Sequence, residues 1–262
     1  MIVLNDLLWD GIYKIYQDGD LFKFSLDSIL ISKFVTIKKN CKKILDIGTG
    51  NAPIPMLLRR RCNSDIVGIE IQNESYNLGL KSIEYNKLKN IELVNDDVRK
   101  WYKEVLPNTF DTIISNPPFF KENSMKSSSK TKCKARSEVS LTFEDVIIIS
   151  KKILKDHGNI AIVNRPDRLL SILVCLRNNG LEPKKIQFVY PRADKEAVLV
   201  MIEATKNGKV GLKILNPIYI QNEKNEYTNY IKNLLLNFEE VWYESKKLWW
   251  KSYFVFGPNS DW

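Results

Sequence analysis

The sequence predicts an α/β protein built on one mostly parallel sheet, with its last strand antiparallel and helices on both faces. Short apolar runs typical of buried strands alternate with segments of helical periodicity from about residue 43 to 204. Strands joined through helices lie parallel, because each helix returns the chain to the edge where the preceding strand began. Only PRADKE, residues 191–196, separates the last two strand candidates. That connection is too short for a crossover, so these two strands should form an antiparallel hairpin.

Seven runs are strand candidates because each is short, apolar and bounded by polar or turn residues. In chain order they are KKILDIG (42–48), DIVGIE (65–70), NIELVN (90–95), FDTIIS (110–115), GNIAIVN (158–164), KKIQFVY (184–190) and AVLVMIEA (197–204). Segments between the first six carry apolar residues at helical spacing. These helix candidates cover residues 53–61, 73–87, 98–105, 142–155 and 167–179.

Two segments stand outside this alternation. Residues 121–140, KENSMKSSSKTKCKARSEVS, are polar and basic and predict a long loop. Long loops inside compact domains are usually functional or disordered. Residues 226–262 predict a helix, YIKNLLLNFEEVWYESKKLWW, followed by an aromatic tail.

Composition excludes several classes of protein. The 262 residues are 44% hydrophobic and 27% charged, which is typical of a globular chain. Cys41, Cys62, Cys133 and Cys175 form no C-x-x-C pair, so neither a zinc site nor a disulfide framework is expected. His157 is the one histidine and should be an exposed turn residue, which argues against Ser-His-Asp and multi-histidine metal chemistry.

The net charge and the absence of long apolar runs bear on partners and location. No apolar run approaches the roughly 18 residues of a membrane span, and the N-terminus lacks a cationic signal-peptide region. We therefore expect a protein of the reducing cytoplasm, without a membrane partner and without a metal. The net charge of +9 reflects either compositional bias or a polyanionic partner, because surface cations attract phosphate backbones.

A glycine-rich turn follows the first predicted strand, in DIGTGNAPIP, residues 46–55. Such a turn allows close approach of a ligand to the backbone. The dinucleotide fingerprint needs a third glycine where Pro53 stands, and Asp46 would repel a pyrophosphate, so a nicotinamide dehydrogenase is disfavoured. Pro53 or Pro55 should instead begin a helix. A carboxylate at Asp46 suits a ligand with a cationic centre and no phosphate, as S-adenosylmethionine is.

Two more acidic residues end the second and third predicted strands. Glu70 lies 20 residues after Gly50 and can accept hydrogen bonds from both hydroxyls of a ribose. Asp97 can accept from an adenine amino group. Each acid alone could instead be a helix N-cap. The three successive strand ends share one crevice in an open α/β sheet, which favours a binding site.

The fourth predicted strand ends in SNPPFF, residues 115–120. Alone, this motif could be a rigid turn whose aromatic side chains fold back onto the core. Exposed aromatic residues in a turn are otherwise unfavourable in water, so their presence also suits a binding role.

Together, LDIGTGN, GIEI, NDDV and SNPPFF resemble the class I S-adenosylmethionine-dependent methyltransferases that methylate amino groups. The chain is further similar to the bacterial methyltransferases that modify N6 of adenine 37 in valine tRNA. That narrower likeness rests on FKFSLDSILIS (22–32), KARSE (134–138) and FVYPRADKEAVLVMIEA (188–204). The resemblance covers roughly residues 5–230 and implies a Rossmann-like, seven-stranded sheet with an antiparallel last strand.

This resemblance implies a division of the chain and a set of cofactor contacts. A methyltransferase domain would span residues 1–232, with an N-terminal cofactor-side element at about 1–40 and a core at about 41–204. Residues 233–262 would be an aromatic-rich extension. Gly48 and Gly50 would contact the methionine part, Glu70 the ribose and Asp97 the adenine. The full predicted cofactor set is Asp27, Asp46, Gly48, Thr49, Gly50, Glu70, Ile71, Asp97, Val98 and Asn116. Asp27 could equally be a helix N-cap.

The same resemblance implies the catalytic role of SNPPFF. The Asn116 side-chain oxygen and the Pro117 carbonyl would accept hydrogen bonds from the target amine, and Pro117 and Pro118 would fix the turn. Phe119 would stack on the base. The predicted RNA contacts are Phe119, Phe120, Lys130, Lys132, Lys134 and Arg136. Without RNA, these basic residues would be a solvated charged loop.

The same residues leave several alternatives open. The substrate could be another RNA amine, such as adenine N6 or guanine N2 of ribosomal RNA, or a glutamine of a release factor. An RNA-binding module with a vestigial pocket would be a different class of protein. Trp242, Trp249, Trp250 and Trp262 could stack on RNA bases or pack as a helical stripe against the domain. The sequence does not indicate an oligomeric state.

Overall fold

The computed structural model describes residues 1–19, 25–117 and 141–238. The predictions for Pro118, Phe119, Phe120 and the basic residues of the following segment lie outside the described residues. The same is true of all four tryptophans of the predicted C-terminal extension.

Eleven strands form two sheets within the described ranges. In chain order they are β1 (Ile2–Asp6), β2 (Lys14–Asp18), β3 (Lys43–Ile47), β4 (Asp65–Glu70), β5 (Ile91–Asn95), β6 (Phe110–Ser115), β7 (Leu154–Asn164), β8 (Leu181–Tyr190), β9 (Leu199–Lys206), β10 (Lys213–Ile214) and β11 (Ile218–Tyr219). Strands β1 and β2 pair with each other, and the other nine form the central sheet.

The helices of the described ranges alternate with the central strands. They are α1 (Leu26–Phe34), α2 (Pro53–Arg59), α3 (Asn73–Tyr85), α4 (Val98–Trp101), α5 (Phe143–Ile153), α6 (Leu169–Asn178) and α7 (Asn229–Leu236). A short 3-10 helix, Pro166–Arg168, precedes α6. In the part of the chain that the structure describes, no helix has the length and apolar character needed to cross a membrane.

The central sheet has the strand order β10-β8-β9-β7-β6-β3-β4-β5, with β11 also beside β8. Strands β7, β6, β3, β4 and β5 are parallel to one another. Strand β9 lies between β7 and β8 and is antiparallel to both. The predicted hairpin and the seven core strands are therefore confirmed. Two short strands, β10 and β11, extend the β8 edge beyond the predicted seven.

Alternating side chains of the central strands pack into two cores, one on each face of the sheet. Ile44 belongs to the core that includes residues of α1, α2 and α7. Its neighbour Leu45 belongs to the core that includes residues of α5 and α6. Both residues are fully buried, as expected for a parallel sheet covered on both faces. The predicted two-sided arrangement of helices is confirmed.

The ends of several elements differ from the predictions. Strand β7 begins at Leu154 rather than 158, and α4 ends at Trp101 rather than 105. His157 is exposed, as predicted, but it lies within β7 at φ 60° where the pairing with β6 shifts register. A left-handed residue of this kind marks an irregularity that period-two patterning does not reveal.

The predicted C-terminal helix does not run unbroken through the segment. Helix α7 begins after Thr228, whose hydroxyl accepts from the Ile231 N–H, and it ends at Leu236 because Asn237 leaves helical geometry at φ −135°. The next residue, Phe238, is fully buried, and its carbonyl accepts a hydrogen bond from Lys33 Nζ at 2.7 Å. The helix thus ends where the chain turns to bury Phe238 in the domain core.

The hairpin of β1 and β2 is an element that the sequence did not predict. Strand β1 is exposed along its whole length, whereas β2 packs against α3. The Tyr16 N–H donates to Ser82 Oγ at 2.9 Å, and the Lys14 N–H donates to Asn86 Oδ1 at 2.9 Å. These contacts attach the N-terminal hairpin to the helix that follows Glu70.

Candidate active site

The carboxyl ends of four parallel strands place most of the predicted residues along one edge of the sheet. Strand β3 lies between β4 and β6, with Ile47 in register with Ile69 on one side and with Ser115 on the other. Strand β5 follows, with Asn95 in register with Glu70. The residues that come directly after these strands therefore surround one crevice, as expected for an open α/β sheet.

The glycine-rich turn after β3 is open on its outer surface. Gly48 and Gly50 have φ of 74° and 59°, a region that favours glycine, and a Cβ atom at either position would meet nothing within 4 Å. The N–H groups of Gly48 and Thr49 both donate to the Ile69 carbonyl at 3.0 Å. The turn is thus anchored to β4 on one side while its other side can receive a ligand. Helix α2 then begins with Pro53 at its first position, as predicted.

Glu70 joins the end of β4 to the glycine-rich turn. Its Oε2 accepts from the Gly50 N–H and its Oε1 from the Gln72 N–H, each at 2.8 Å. Burial raises the pKa of Glu70, and the hydrogen bonds from the backbone partly oppose that rise. Each carboxylate oxygen keeps a further lone pair, so the side chain can still accept hydrogen bonds from a ligand. Ile71 follows it and is 40% exposed.

Asp46 is the unusual carboxyl group of the edge. It is fully buried, and both of its side-chain oxygens lack a hydrogen-bond partner among the described residues. Burial is the main cause that raises its pKa to about 7, and the charge of Glu70 adds to the rise. The neighbouring Thr49 hydroxyl partly opposes this rise in pKa, although it does not form a hydrogen bond of normal geometry with the carboxyl group. Thr49 Oγ1 is itself buried and has no hydrogen-bond partner in the part of the chain that the structure describes. An unpaired buried carboxylate is costly, and a cationic ligand nearby would offset that cost.

Asp97 is a helix N-cap, which is the alternative role that the sequence also allowed. Its Oδ1 accepts from the Arg99 N–H at 2.9 Å, and Arg99 Nη2 lies 2.7 Å from Oδ2. The hydrogen bond from the Arg99 side chain is the main cause that lowers the pKa of Asp97. Val98 is buried in the same hydrophobic core as Val67 and Ile69. Asp97 is thus held ionised at the end of β5, and its contact with adenine stays a prediction.

Asn116 follows β6 at the centre of the edge. Its Nδ2 donates to Ser28 Oγ at 3.2 Å, and the preceding Ser115 Oγ donates to the Ile47 carbonyl at 3.0 Å. Since the oxygen of an amide lies opposite its nitrogen, the bond to Ser28 directs Asn116 Oδ1 away from α1. Pro117 is buried and fixes φ at the start of the turn. The structure therefore presents an orientated amide beside the glycine-rich turn.

Ser28 is a residue of this site that the sequence reasoning missed. It lies in the first turn of α1 and is buried. Its neighbour Asp27 was the predicted residue, and the only signal for Ser28 was its place in the same FSLDS element. Ser25 occupies the N-cap position, so the alternative role of Asp27 as the cap is wrong. Burial raises the pKa of Asp27.

A second missed contact supports Glu70. Asn95 Nδ2 donates to the Glu70 carbonyl at 2.8 Å, which ties the end of β5 to the end of β4. The pairing of Asn95 with Glu70 follows from strand register, which the sequence alone did not supply.

The strand order, the open glycine turn and the acidic residues at successive strand ends define a class I methyltransferase. The chain belongs to the methyltransferase small domain family, whose model matches residues 27–171. This membership confirms the predicted fold and the predicted reaction, methyl transfer with S-adenosylmethionine as the donor. The residues present fit that cofactor, because the unpaired Asp46 carboxyl lies beside a turn with open space above both glycines.

Individual relatives narrow the comparison. The chain is 24% identical over 227 residues to the tRNA1(Val) (adenine(37)-N6)-methyltransferase of Bacteroides fragilis strain YCH46, covering 86% of this chain and 95% of that one. It is 31% identical over 155 residues to the enzyme of the same name from Trichodesmium erythraeum, covering 58% of this chain and 64% of that one. A solved structure from Agrobacterium tumefaciens, titled as a predicted O-methyltransferase, superposes with a TM-score of 0.63 at 21% identity, covering 79% and 94% of the two chains. That likeness shows the fold.

Proposed function

We propose that this protein methylates the exocyclic N6 amine of an adenine in tRNA, with adenine 37 of valine tRNA as its target. It would act in the cytoplasm, where tRNA is modified. The names of the Bacteroides and Trichodesmium relatives support this substrate. The structural observation that carries the proposal is the Asn116 amide, which is held by Ser28 at the centre of the carboxyl edge.

The cofactor would lie across the glycine-rich turn. Gly48 and Gly50 leave room for its methionine part. Thr49 and Asp46 would border that part, and the Asp46 carboxyl would balance a positive charge. Glu70 would accept from the ribose hydroxyls, while Ile71, Asp97 and Val98 would border the adenine and Asp27 would close the α1 side. When bound, S-adenosylmethionine supplies an electrophilic methyl group.

The residues of the chain would prepare the target amine. An exocyclic amine of a purine is a poor nucleophile because its lone pair is shared with the ring. The Asn116 Oδ1 and the Pro117 carbonyl can each accept one of its hydrogens, which favours localising the lone pair on nitrogen. Since these acceptors are fixed before the substrate arrives, they need little reorganisation during the reaction. The amine would gain the methyl group as the bond from that group to sulfur breaks, and it would lose one proton to solvent, so that S-adenosylhomocysteine and the methylated amine are the products.

The remaining parts of the proposal concern residues outside the described ranges. Pro118 would complete the turn, and Phe119 and Phe120 would stack on a base taken out of its loop, which costs a few kcal/mol in general. Lys130, Lys132, Lys134 and Arg136 would contact phosphates around that base. We also propose that residues 1–232 form the methyltransferase domain and that 233–262 extend it, with the first part of this extension, through Phe238, packed into the domain core.

The test uses transcribed valine tRNA without natural modifications, isotopically labelled S-adenosylmethionine and nucleoside mass spectrometry. The proposal predicts labelled N6-methyladenosine, and no label in a matched tRNA that carries guanine at position 37. Label in N2-methylguanosine, or in a release-factor glutamine when that protein is the substrate, would replace tRNA adenine with one of the alternatives. Label that persists in the position-37 variant would move the target to another nucleotide.

A further inference from the structure

A cavity of about 800 Å³ lies at the opposite edge of the sheet, where β3 and β4 begin. The loop after α1, the end of α2 and the residues before β4 surround it. Its lining contains six cationic side chains and one acidic residue, Asp65. The cations are Lys33, Lys38, Lys39, Lys42, Arg60 and Arg61. We call this the basic cavity, and the proposed active site makes no use of it.

Three cations of the basic cavity are held in place by the fold. Lys33 donates to the Phe238 carbonyl at 2.7 Å, and Arg60 pairs with Asp10 at 2.6 Å. Arg61 Nη2 donates to the Val35 carbonyl at 3.0 Å near the end of α1. Burial lowers the pKa of Arg61 to about 10, because its charge is poorly hydrated. An anion in the cavity would stabilise that charge.

The other three cations lie on an exposed rim. Lys38, Lys39 and Lys42 belong to the loop sequence KKNCKK, residues 38–43, and all three are exposed. Lys38 Nζ also donates to the His157 carbonyl. Like charges gathered around one cavity repel each other, and a partner that carries several negative charges would relieve this repulsion.

We propose that the basic cavity binds phosphates of the RNA backbone, at a place remote from the target base, and this inference rests on the proposed tRNA substrate. The five residues of β3, at about 3.3 Å each, place the basic cavity roughly 17 Å from the glycine-rich turn. A whole tRNA is far longer than this, so one molecule can engage both edges. A row of exposed lysines around an open cavity suits successive phosphates better than a single enclosed anion.

The first experiment compares two triple variants in binding of unmodified tRNA, followed by fluorescence anisotropy from about 50 to 300 mM salt. One variant carries Lys38→Gln, Lys39→Gln and Lys42→Gln. The control carries Lys81→Gln, Lys89→Gln and Lys213→Gln, which removes equal charge from exposed positions that do not line the cavity. Affinity for S-adenosylhomocysteine checks that each variant is folded.

The proposal predicts a shallower salt dependence for the cavity variant. The magnitude of its slope of log affinity against log salt should fall by about 2 to 3, because three phosphate contacts disappear. The control should lose clearly less. Equal losses would show diffuse attraction, and no loss in the cavity variant would place the RNA elsewhere; either result overturns the inference. Binding is measured without methyl transfer, so failure of the proposed reaction would be seen separately.

Two further measurements locate the contact. Cys41 and Cys62 line the basic cavity, whereas Cys175 lies on α6 beside the other core. Bound tRNA should slow alkylation of Cys41 and Cys62, followed peptide by peptide, and leave Cys175 unaffected. Calorimetry with pyrophosphate tests a small anion instead. Pyrophosphate binding that the cavity variant loses, with an unchanged salt slope for tRNA, would overturn the assignment to RNA.

Discussion

The buried carboxyl group of Asp46 should make the protein less stable as the pH rises. Its pKa is raised from 3.8 to about 7 by burial, so the folded protein holds this proton more tightly than the unfolded chain does. Ionisation of Asp46 therefore opposes folding. The penalty is absent below pH 3.8, grows as the pH rises toward 7 and is complete above it. At about 1.36 kcal/mol per pH unit, its full size is about 4 kcal/mol in the absence of a bound cation.

Asp46→Asn removes this titration while keeping the shape of the side chain. The free energy of unfolding, measured with urea from about pH 4.5 to 8.5, should favour the variant increasingly toward high pH. Over this pH range the gap between variant and wild type should widen by about 3 kcal/mol, because about 1 kcal/mol of the penalty is already present at pH 4.5. Glu223→Gln is the control, because it removes one carboxyl group from an exposed position outside the active site and the basic cavity.

The same pH series, repeated with saturating S-adenosylhomocysteine, tests whether the bound ligand interacts with the Asp46 carboxyl. The ammonium group of this ligand should lower the pKa of Asp46, so the gap at high pH should narrow. A gap that does not depend on pH would refute the reasoning about burial. A gap that widens with pH equally with and without the ligand would support the buried charge of Asp46 but show that the ligand does not interact with it.

Three other substitutions test individual contacts. Ser28→Ala should lower the methylation rate about fivefold, since a single hydrogen bond to Asn116 contributes about 1 kcal/mol; single-turnover kinetics would show this, and an unchanged rate would remove Ser28 from the site. Glu70→Ala should weaken S-adenosylhomocysteine binding at least about tenfold in calorimetry, because bonds worth about 1.5–3 kcal/mol each are lost. Unchanged affinity would contradict its role. Gly68→Ala should destabilise the protein by about 1–3 kcal/mol in urea unfolding, because the new Cβ would lie 2.7 Å from the Leu93 side chain and 2.8 Å from Thr49 Oγ1. An equal midpoint would mean that these two side chains move to accommodate it.

The central sheet could be predicted because its strands carry strong local signals. Buried parallel strands are short continuous apolar runs, and β4 and β6 have the predicted bounds. The antiparallel pairing of β8 and β9 followed from the length of the connection alone. The strand-end positions of Asp46, Glu70 and Asn116 followed in turn, because parallel strands end at one edge.

These local patterns could not predict contacts between segments that are distant in the sequence. Ser28 meets Asn116 across 88 positions of the chain, and no local signal distinguishes it from other helical serines. The β1–β2 hairpin is fixed by hydrogen bonds to α3, and the end of α7 by the burial of Phe238. Asp97 is the opposite case, because its N-cap interaction with Arg99 is local in the sequence. Its position also suits ligand binding.

Asn116 should assist the reaction of the amine and contribute little to cofactor affinity, although the sequence also places it among the predicted cofactor contacts. Asn116→Ala should reduce single-turnover methylation of tRNA at least about 100-fold, the scale found when one preorganised hydrogen-bonding group is removed. Its affinity for S-adenosylhomocysteine, measured by calorimetry on the same preparation, should stay close to that of the wild type. A parallel loss of affinity and rate, or a rate that survives the substitution, would contradict the account.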